Sequence, residues 1–395
     1  GHPLHALFYR MKKPILLLII TCAFLTGCKH IQPSSNVEGS LKPHLGESKF
    51  NLQPLFTSER FGNIVVSMKG TLIATWGQSY VRARRSEDGG KTWGPEIVIA
   101  KPAFQPGGLT VNETTGDIIA FVEDRHPPAP IHIYVSSDDG ITWNKIKTSI
   151  KPDSKGNDPS MHMNEHGITL RHGKHKGRLI RPSRWYAGKN DSARWPQHYT
   201  NAIYSDDDGK TWQTSEPFPA NGTGEATLAE LTDGSIYYNS RRHWAEEGAN
   251  PRRRWTATSP DGGHTWENLT FCEVLPDGPQ NTNYGCMAGL TRLAIKGRDI
   301  LIYSNCDSPS GRVKGTVWAS FDGGKSWPIK RMVFKGRHAY SSLTSGRPGT
   351  ITEGQIFHLF EGGPKGSSAV AQFNLAWILE GGTKTGDGRI PSEFN

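Results

Sequence analysis

Five copies of one eight-residue pattern constrain this chain more than anything else in it. They are Ser86-Glu-Asp88-Gly-Gly90-Lys-Thr92-Trp93, Ser136-Ser-Asp138-Asp-Gly140-Ile-Thr142-Trp143, Ser205-Asp-Asp207-Asp-Gly209-Lys-Thr211-Trp212, Ser259-Pro-Asp261-Gly-Gly263-His-Thr265-Trp266 and Ser320-Phe-Asp322-Gly-Gly324-Lys-Ser326-Trp327. The copies start 50 to 69 residues apart, a period that signals a propeller or a solenoid. The chemistry is that of a tight turn. Ser and Asp oxygens accept backbone N–H groups, and Gly supplies a positive φ. The Trp ring is then placed to pack between neighbouring sheets.

Short strands surround each box. Around the first lie Asn63–Ser67, Thr71–Trp76, Val81–Arg85 and Glu96–Ala100, so the box joins a third strand to a fourth. No segment after residue 50 carries a long 3.6-residue apolar period. Four-stranded radial blades follow, and the span from 50 to 382 predicts an all-β, six-bladed β-propeller. The sixth blade lacks a box and reads as Ala339–Ser345, Gln355–Phe360 and Ala369–Phe373. Phe50–Phe56 is expected to add the strand that closes the ring.

The ends divide differently. Residues 11–28 combine a charged start, an apolar run and a small-residue exit, which is an export signal. Its last four residues, Leu25-Thr26-Gly27-Cys28, resemble a bacterial lipobox, which implies lipid attachment at Cys28 and makes residues 1–10 upstream of the start at Met11. The expected location is outside the cytoplasm, anchored to a membrane and facing periplasm or cell surface. Residues 29–49 read as a tether and 383–395 as a tail. The body keeps Cys272, Cys286 and Cys306, an odd number without CxxC spacing, and no histidine pair has metal-ligand spacing. No metal, cofactor or disulfide framework is expected, and the expectation is a monomer. The net charge is +9, which suits an anionic partner. The one basic cluster, Arg252-Arg253-Arg254, reads as a solvated strand, so nucleic acid is not expected.

In a propeller, residues before a first strand and after a second strand share one face, opposite the boxes. Ligands occupy the central mouth of that face. Arg60, Glu225, Arg241, Arg312, Tyr340 and Glu361 all fall at such positions.

On these residues the chain resembles the exo-sialidases, six-bladed propellers with the same boxes. The matching stretches are Arg60-Phe-Gly followed by Lys69-Gly-Thr71, Gly224-Glu225 with Asp233-Gly234 and Asn239-Ser-Arg241, and Tyr340-Ser-Ser-Leu343. The resemblance implies roles. Arg60, Arg241 and Arg312 bind a substrate carboxylate, Tyr340 is the nucleophile, Glu225 is its base and Glu361 orients Arg60. A phenol suits such a substrate because a carboxylate nucleophile would be repelled by the sugar's own charge. The implied reaction is exo-acting, retaining release of a terminal α-linked sialic acid, or a related acidic ulosonic sugar, from an anionic glycan.

One element of the family pattern is missing. Its general acid is an Asp on the loop after the second strand of the first blade. Here that loop is only Gly77-Gln-Ser-Tyr80, and no Asp or Glu lies between Arg60 and Ser86. Asp124, in Glu123-Asp-Arg-His126, is the candidate acid, with His126 and Glu123 as rivals. In the third blade, His162, Glu165-His166 and Arg184-Trp185-Tyr186 offer proton donors or stacking surfaces, with structural histidines as the simpler reading. Two alternatives stay open: a lyase acting on uronic-acid glycans, and a non-catalytic surface glycan-binding protein.

Overall fold

The computed structural model describes residues 36–245, 253–278 and 285–394. The export segment and Cys28 lie outside them. The described residues form five sheets, almost wholly antiparallel. The first runs Gly62–Val66, Leu72–Trp76, Val81–Ser86 and Ile97–Ala100, within a residue or two of expectation. The fourth runs Thr223–Glu230, Ile236–Arg242, Arg253–Ser259 and Glu267–Pro276 in the same order. Burial falls along that sheet, because Thr223–Glu230 is buried throughout while Glu267–Pro276 starts exposed. The sheets thus stand with one edge at a common centre, and the fold is a β-propeller.

The largest sheet has eight strands because one strand serves two neighbours. The first half of Ile329–Ser345 pairs with Val313–Ser320, and its second half pairs with Ile356–Gly362. Phe50–Pro54 closes this sheet by pairing with Ser368–Phe373, Phe50 opposite Phe373.

The five boxes repeat one hydrogen-bond set. In the third, Ser205 Oγ donates to Asp207 Oδ1 at 2.7 Å and accepts Gly209 N at 2.9 Å. Thr211 N and Oγ1 donate to the Asp207 carboxylate at 2.9 and 2.6 Å. These bonds outweigh burial and hold the Asp138, Asp207 and Asp261 carboxyls below their ordinary range. The tryptophans reach the preceding sheet: Trp212 meets Phe121 edge-on at 5.2 Å, and Trp266 Nε1 donates to Glu216 O at 3.1 Å.

The centre is held by one buried carboxylate, that of Glu165. Glu165 Oε1 accepts from Asn63 Nδ2 at 2.8 Å, Ser342 Oγ at 2.6 Å and His166 N at 2.9 Å. Its Oε2 accepts from Leu290 N at 3.1 Å and Leu343 N at 2.9 Å. Its own N donates to Ala226 O at 3.0 Å, and Asn63 Oδ1 accepts Leu109 N at 3.0 Å. Innermost strands all around the ring are therefore tied to one side chain and its neighbour Asn63.

Three expectations change. The stretch expected as a tether is docked from residue 36 on. Gly39 exchanges backbone bonds with Ala294 and Lys296, and Glu38 bonds Arg292 at 2.9 Å and His172 at 3.2 Å. The expected tail is docked too, through Thr383–Lys384 on the long strand and Asp387 on Trp327 N. The helix Leu375–Gly381 is capped by Asn374 at Trp377 N, 2.9 Å, and is too short to show a period. Arg254 is not solvated. It is fully buried and bonds Asp277 at 2.9 Å and Asn239 at 2.6 Å.

Removing the central carboxylate should loosen the whole ring. Glu165→Ala orphans buried donors from several sheets, each costing about 1–3 kcal/mol. The expected loss is about 3 kcal/mol or more, against about 1 kcal/mol for Asp207→Ala at one peripheral box. Denaturant unfolding of the two variants checks the ranking.

Candidate active site

Two backbone irregularities aim the central pair. Tyr340 lies in the long strand between His338 and Ser341, where the register with Ile356–Gly362 shifts. Glu225 lies between Thr223 and Ala226, where the register with Ile236–Arg242 shifts, and its φ is 60°. Such bulges re-aim side chains, and a left-handed backbone is costly for any residue with a Cβ. Gly224 beside it leaves room for the Arg184 guanidinium, which would stand 2.4 Å from an added Cβ.

The two side chains meet. Tyr340 Oη donates to Glu225 Oε1 at 2.7 Å. Arg241 Nη1 donates to Tyr340 Oη at 2.9 Å and also to Glu225 Oε2. The guanidinium carbons of Arg60, Arg312 and Arg241 stand 4.9, 5.3 and 5.9 Å from the centre of the Tyr340 ring. Arg60 is gripped by Glu361 through Nε at 2.8 Å and Nη2 at 2.9 Å. The same carboxylate accepts Phe61 N and Tyr340 N, each at 3.1 Å. Glu361 thus sets both an arginine and the backbone of the tyrosine. Arg312 donates to Gly285 O at 3.2 Å, and its buried Nε has no partner among the described residues.

Charge is balanced against burial. Burial and the Glu225 charge push the Tyr340 phenol up to about 12, against the pull of three arginines. Burial pushes the Glu225 carboxyl up, but Arg241 and Arg184 override it and hold it below its ordinary value. At neutral pH the pair is therefore a phenol facing an ionised carboxylate, the arrangement in which a base can take a phenolic proton.

The sequence reading brought Tyr340, Glu225, Arg60, Arg241, Arg312 and Glu361 to one mouth, and the structure brings all six together. Asp124 behaves differently. Its carboxylate is half-exposed and pairs with His132 Nε2 at 2.6 Å on its own sheet. Glu123 is buried, with Oε1 accepting Ser160 Oγ at 2.8 Å and Met161 N at 2.7 Å, and burial raises its carboxyl to about 7. Trp185 packs on Tyr199 at 5.2 Å, so only Tyr186 of the expected stacking pair turns toward His126, at 5.1 Å.

Arg184 precedes those aromatics in the sequence. It is a fourth guanidinium, fully buried, with Nη1 4.0 Å from Glu225 Oε1. Its Nη2 donates to Nδ1 of both His198 and His243 at 3.2 Å. Those two nitrogens are acceptors, which places each ring proton on Nε2, and His198 Nε2 donates to Ala187 O at 3.1 Å. Burial, then the arginines, hold His162 and His243 neutral and lower His198 to about 3. The available signal for Arg184 was positional: it ends a second strand, as Arg241 does.

The chain is similar to known proteins. A profile of the BNR repeat-like domain matches residues 109–352. A sialidase of Micromonospora viridifaciens is 30% identical over 88% of this chain and 57% of its own length. A sialidase of Bacteroides fragilis is 28% identical over 68% of this chain and 54% of its own. The chain thus spans a little over half the length of these relatives. Among solved structures, a Hadza microbial sialidase superposes with a TM-score of 0.64 at 24% identity, covering 87% of this chain and 68% of that one. The intramolecular trans-sialidase of Ruminococcus gnavus superposes at 0.61 with 15% identity, covering 85% of this chain and 96% of that one. The chain belongs to the BNR repeat-like domain family, and its relatives there are sialidases.

Proposed function

We propose that this protein is an exo-acting, retaining glycoside hydrolase that releases a terminal α-linked sialic acid, or a related acidic ulosonic sugar, from glycans. The observation that carries this reading is the 2.7 Å hydrogen bond from Tyr340 to an ionised Glu225 inside a ring of guanidiniums. Arg60, Arg241 and Arg312 hold the substrate carboxylate, for which planar guanidiniums supply paired donors. Tyr340 Oη attacks the anomeric carbon as Glu225 accepts its proton, and water later releases the sugar. Counting the halves of the eight-stranded sheet separately, we read the ring as six-bladed. We further propose export and lipid attachment at Cys28. The segment from residue 36 docks on the ends of inner strands opposite the mouth, so an anchor there would leave the mouth facing outward.

Product identification from sialosides tests the reaction. Free acidic sugar is expected; ultraviolet-absorbing unsaturated products would point to the lyase, and binding without product to the glycan-binding protein. Tyr340→Phe should lose turnover by about three orders of magnitude or more while still binding ligand.

The base also fixes a pH profile. Glu225 has a depressed folded pKa, so it stays ionised as pH falls until below the ordinary carboxylate range. The acid limb of kcat/KM should lie there. Arg184→Gln removes one of the two cations responsible and should move that limb up in pH. An unmoved limb in a folded variant would remove Arg184 from this role. Intact mass of the membrane fraction checks the acylation of Cys28.

A further inference from the structure

The reaction proposed above needs a proton at the leaving oxygen, and the carboxyl groups that would be expected to deliver it are paired or buried. Glu59, beside the shortened loop, bonds Arg82 and accepts Ser79 N at 2.9 Å. Asp124 pairs with His132, and Glu123 is buried beneath Ser160 and Met161. His126 is different. It is half-buried at the mouth end of the second sheet's Ile118–Glu123 strand. Its Nδ1 lies 3.0 Å from Pro127 O, a carbonyl that only accepts, so Nδ1 carries a proton and Nε2 is the exchangeable nitrogen.

The ring is held on three sides. His162 lies 4.9 Å from it, Tyr186 5.1 Å and Phe104 5.7 Å, centre to centre. His162 in turn meets Phe61 at 6.0 Å, and Phe61 meets Tyr340 at 6.0 Å. His126 is therefore joined to the nucleophile through the ring contacts of His162 and Phe61, within the fields of Arg184 and Glu225. A retaining hydrolase needs its acid on the side of the anomeric carbon opposite the nucleophile.

We propose that His126, fixed by Pro127 and walled by His162, Tyr186 and Phe104, is the proton donor of this site in place of a carboxylic acid. The inference rests on the hydrolase reading. In the first step the Tyr340 Oη–carbon bond forms and the bond to the leaving oxygen breaks. Protonated His126 gives its Nε2 proton to that oxygen while Glu225 takes the phenolic proton. In the second step neutral His126 takes a proton from the attacking water, the tyrosyl bond breaks, and Glu225 returns its proton to Tyr340. The sum is glycoside plus water to free sugar plus alcohol.

The groups facing His126 fix the direction of its titration. Burial lowers its pKa, the Arg184 charge lowers it further, and Glu225 and the Pro127 carbonyl raise it; His162 and Tyr186 face it uncharged. The acid form is thus lost below the ordinary imidazole value. The alkaline limb of kcat/KM should lie in mildly acidic solution and vanish in His126→Gln.

The decisive comparison uses leaving groups. Wild type and His126→Gln, each checked for an unchanged unfolding midpoint, are assayed on 3′-sialyllactose and on a 4-methylumbelliferyl α-sialoside. The sugar alkoxide needs protonation and the aryl oxide scarcely does. The variant should lose about 10²–10⁴-fold on sialyllactose, and less than about tenfold on the aryl substrate. Equal losses on both, or no loss on sialyllactose, overturn the inference while leaving the hydrolase reading intact. A wild type that releases sugar from neither substrate overturns the hydrolase reading, and the inference falls with it.

Discussion

The ring depends on Glu165. A propeller gathers sheet edges at its axis, where backbone groups face neither water nor a neighbouring strand of their own sheet. Unpaired groups there are costly. Glu165 answers this with a carboxylate that accepts five donors from four parts of the chain. Ser342 and Asn63 bond the hub, while Tyr340 and Phe61 stand two residues nearer the mouth. The residues that fix the ring are thus only two positions along the chain from residues that carry the chemistry. A slip of one residue in either strand would remove both.

The mouth above is a problem in buried charge. Arg184 and Arg241 flank Glu225, and Arg60 is matched to Glu361. Buried ions are tolerated only when paired and hydrogen-bonded, and deleting one partner leaves a charge that neither water nor protein stabilises. The pairing has a chemical consequence. Four guanidiniums against two carboxylates leave the pit cationic, a state that a bound anion completes. The same field opposes protonation of His162 and His243 and keeps both as neutral walls.

What the sequence made legible follows the range of each interaction. The boxes are local: Ser205, Asp207, Gly209 and Thr211 bond one another within four residues, so their pattern reports their structure directly. Tyr340, Glu225 and the three arginines are far apart in the chain, but each falls at a strand end whose face the blade count assigns. Glu165 was not legible, because its meaning lies in Asn63, Leu290 and Ser342, more than 100 residues away on either side. Asp124 misled for the opposite reason. A loop carboxylate has many orientations, and the partner that fixed this one, His132, sits on the adjoining strand. Arg254 was assigned from its charged neighbours, yet strand alternation put it inside, where Asp277 meets it.

Closure explains the order of elements at both ends of the chain. The outer strand of the last sheet is Phe50–Pro54, from the start of the ring, so N- and C-terminal segments hydrogen-bond along five residue pairs. A ring closed by neighbours in sequence would open at one frayed edge. Here opening requires separating residues more than 300 positions apart, and Phe56 N to Ser368 Oγ at 2.7 Å extends the seam inward. Arg60 and Phe61 follow that seam by only a few residues and are bound by Glu361 from the sheet across it. The seam therefore does more than stabilise the ring. It determines where Arg60 stands relative to Tyr340, because Glu361 holds Arg60 from one side of the closure and the Tyr340 backbone from the other.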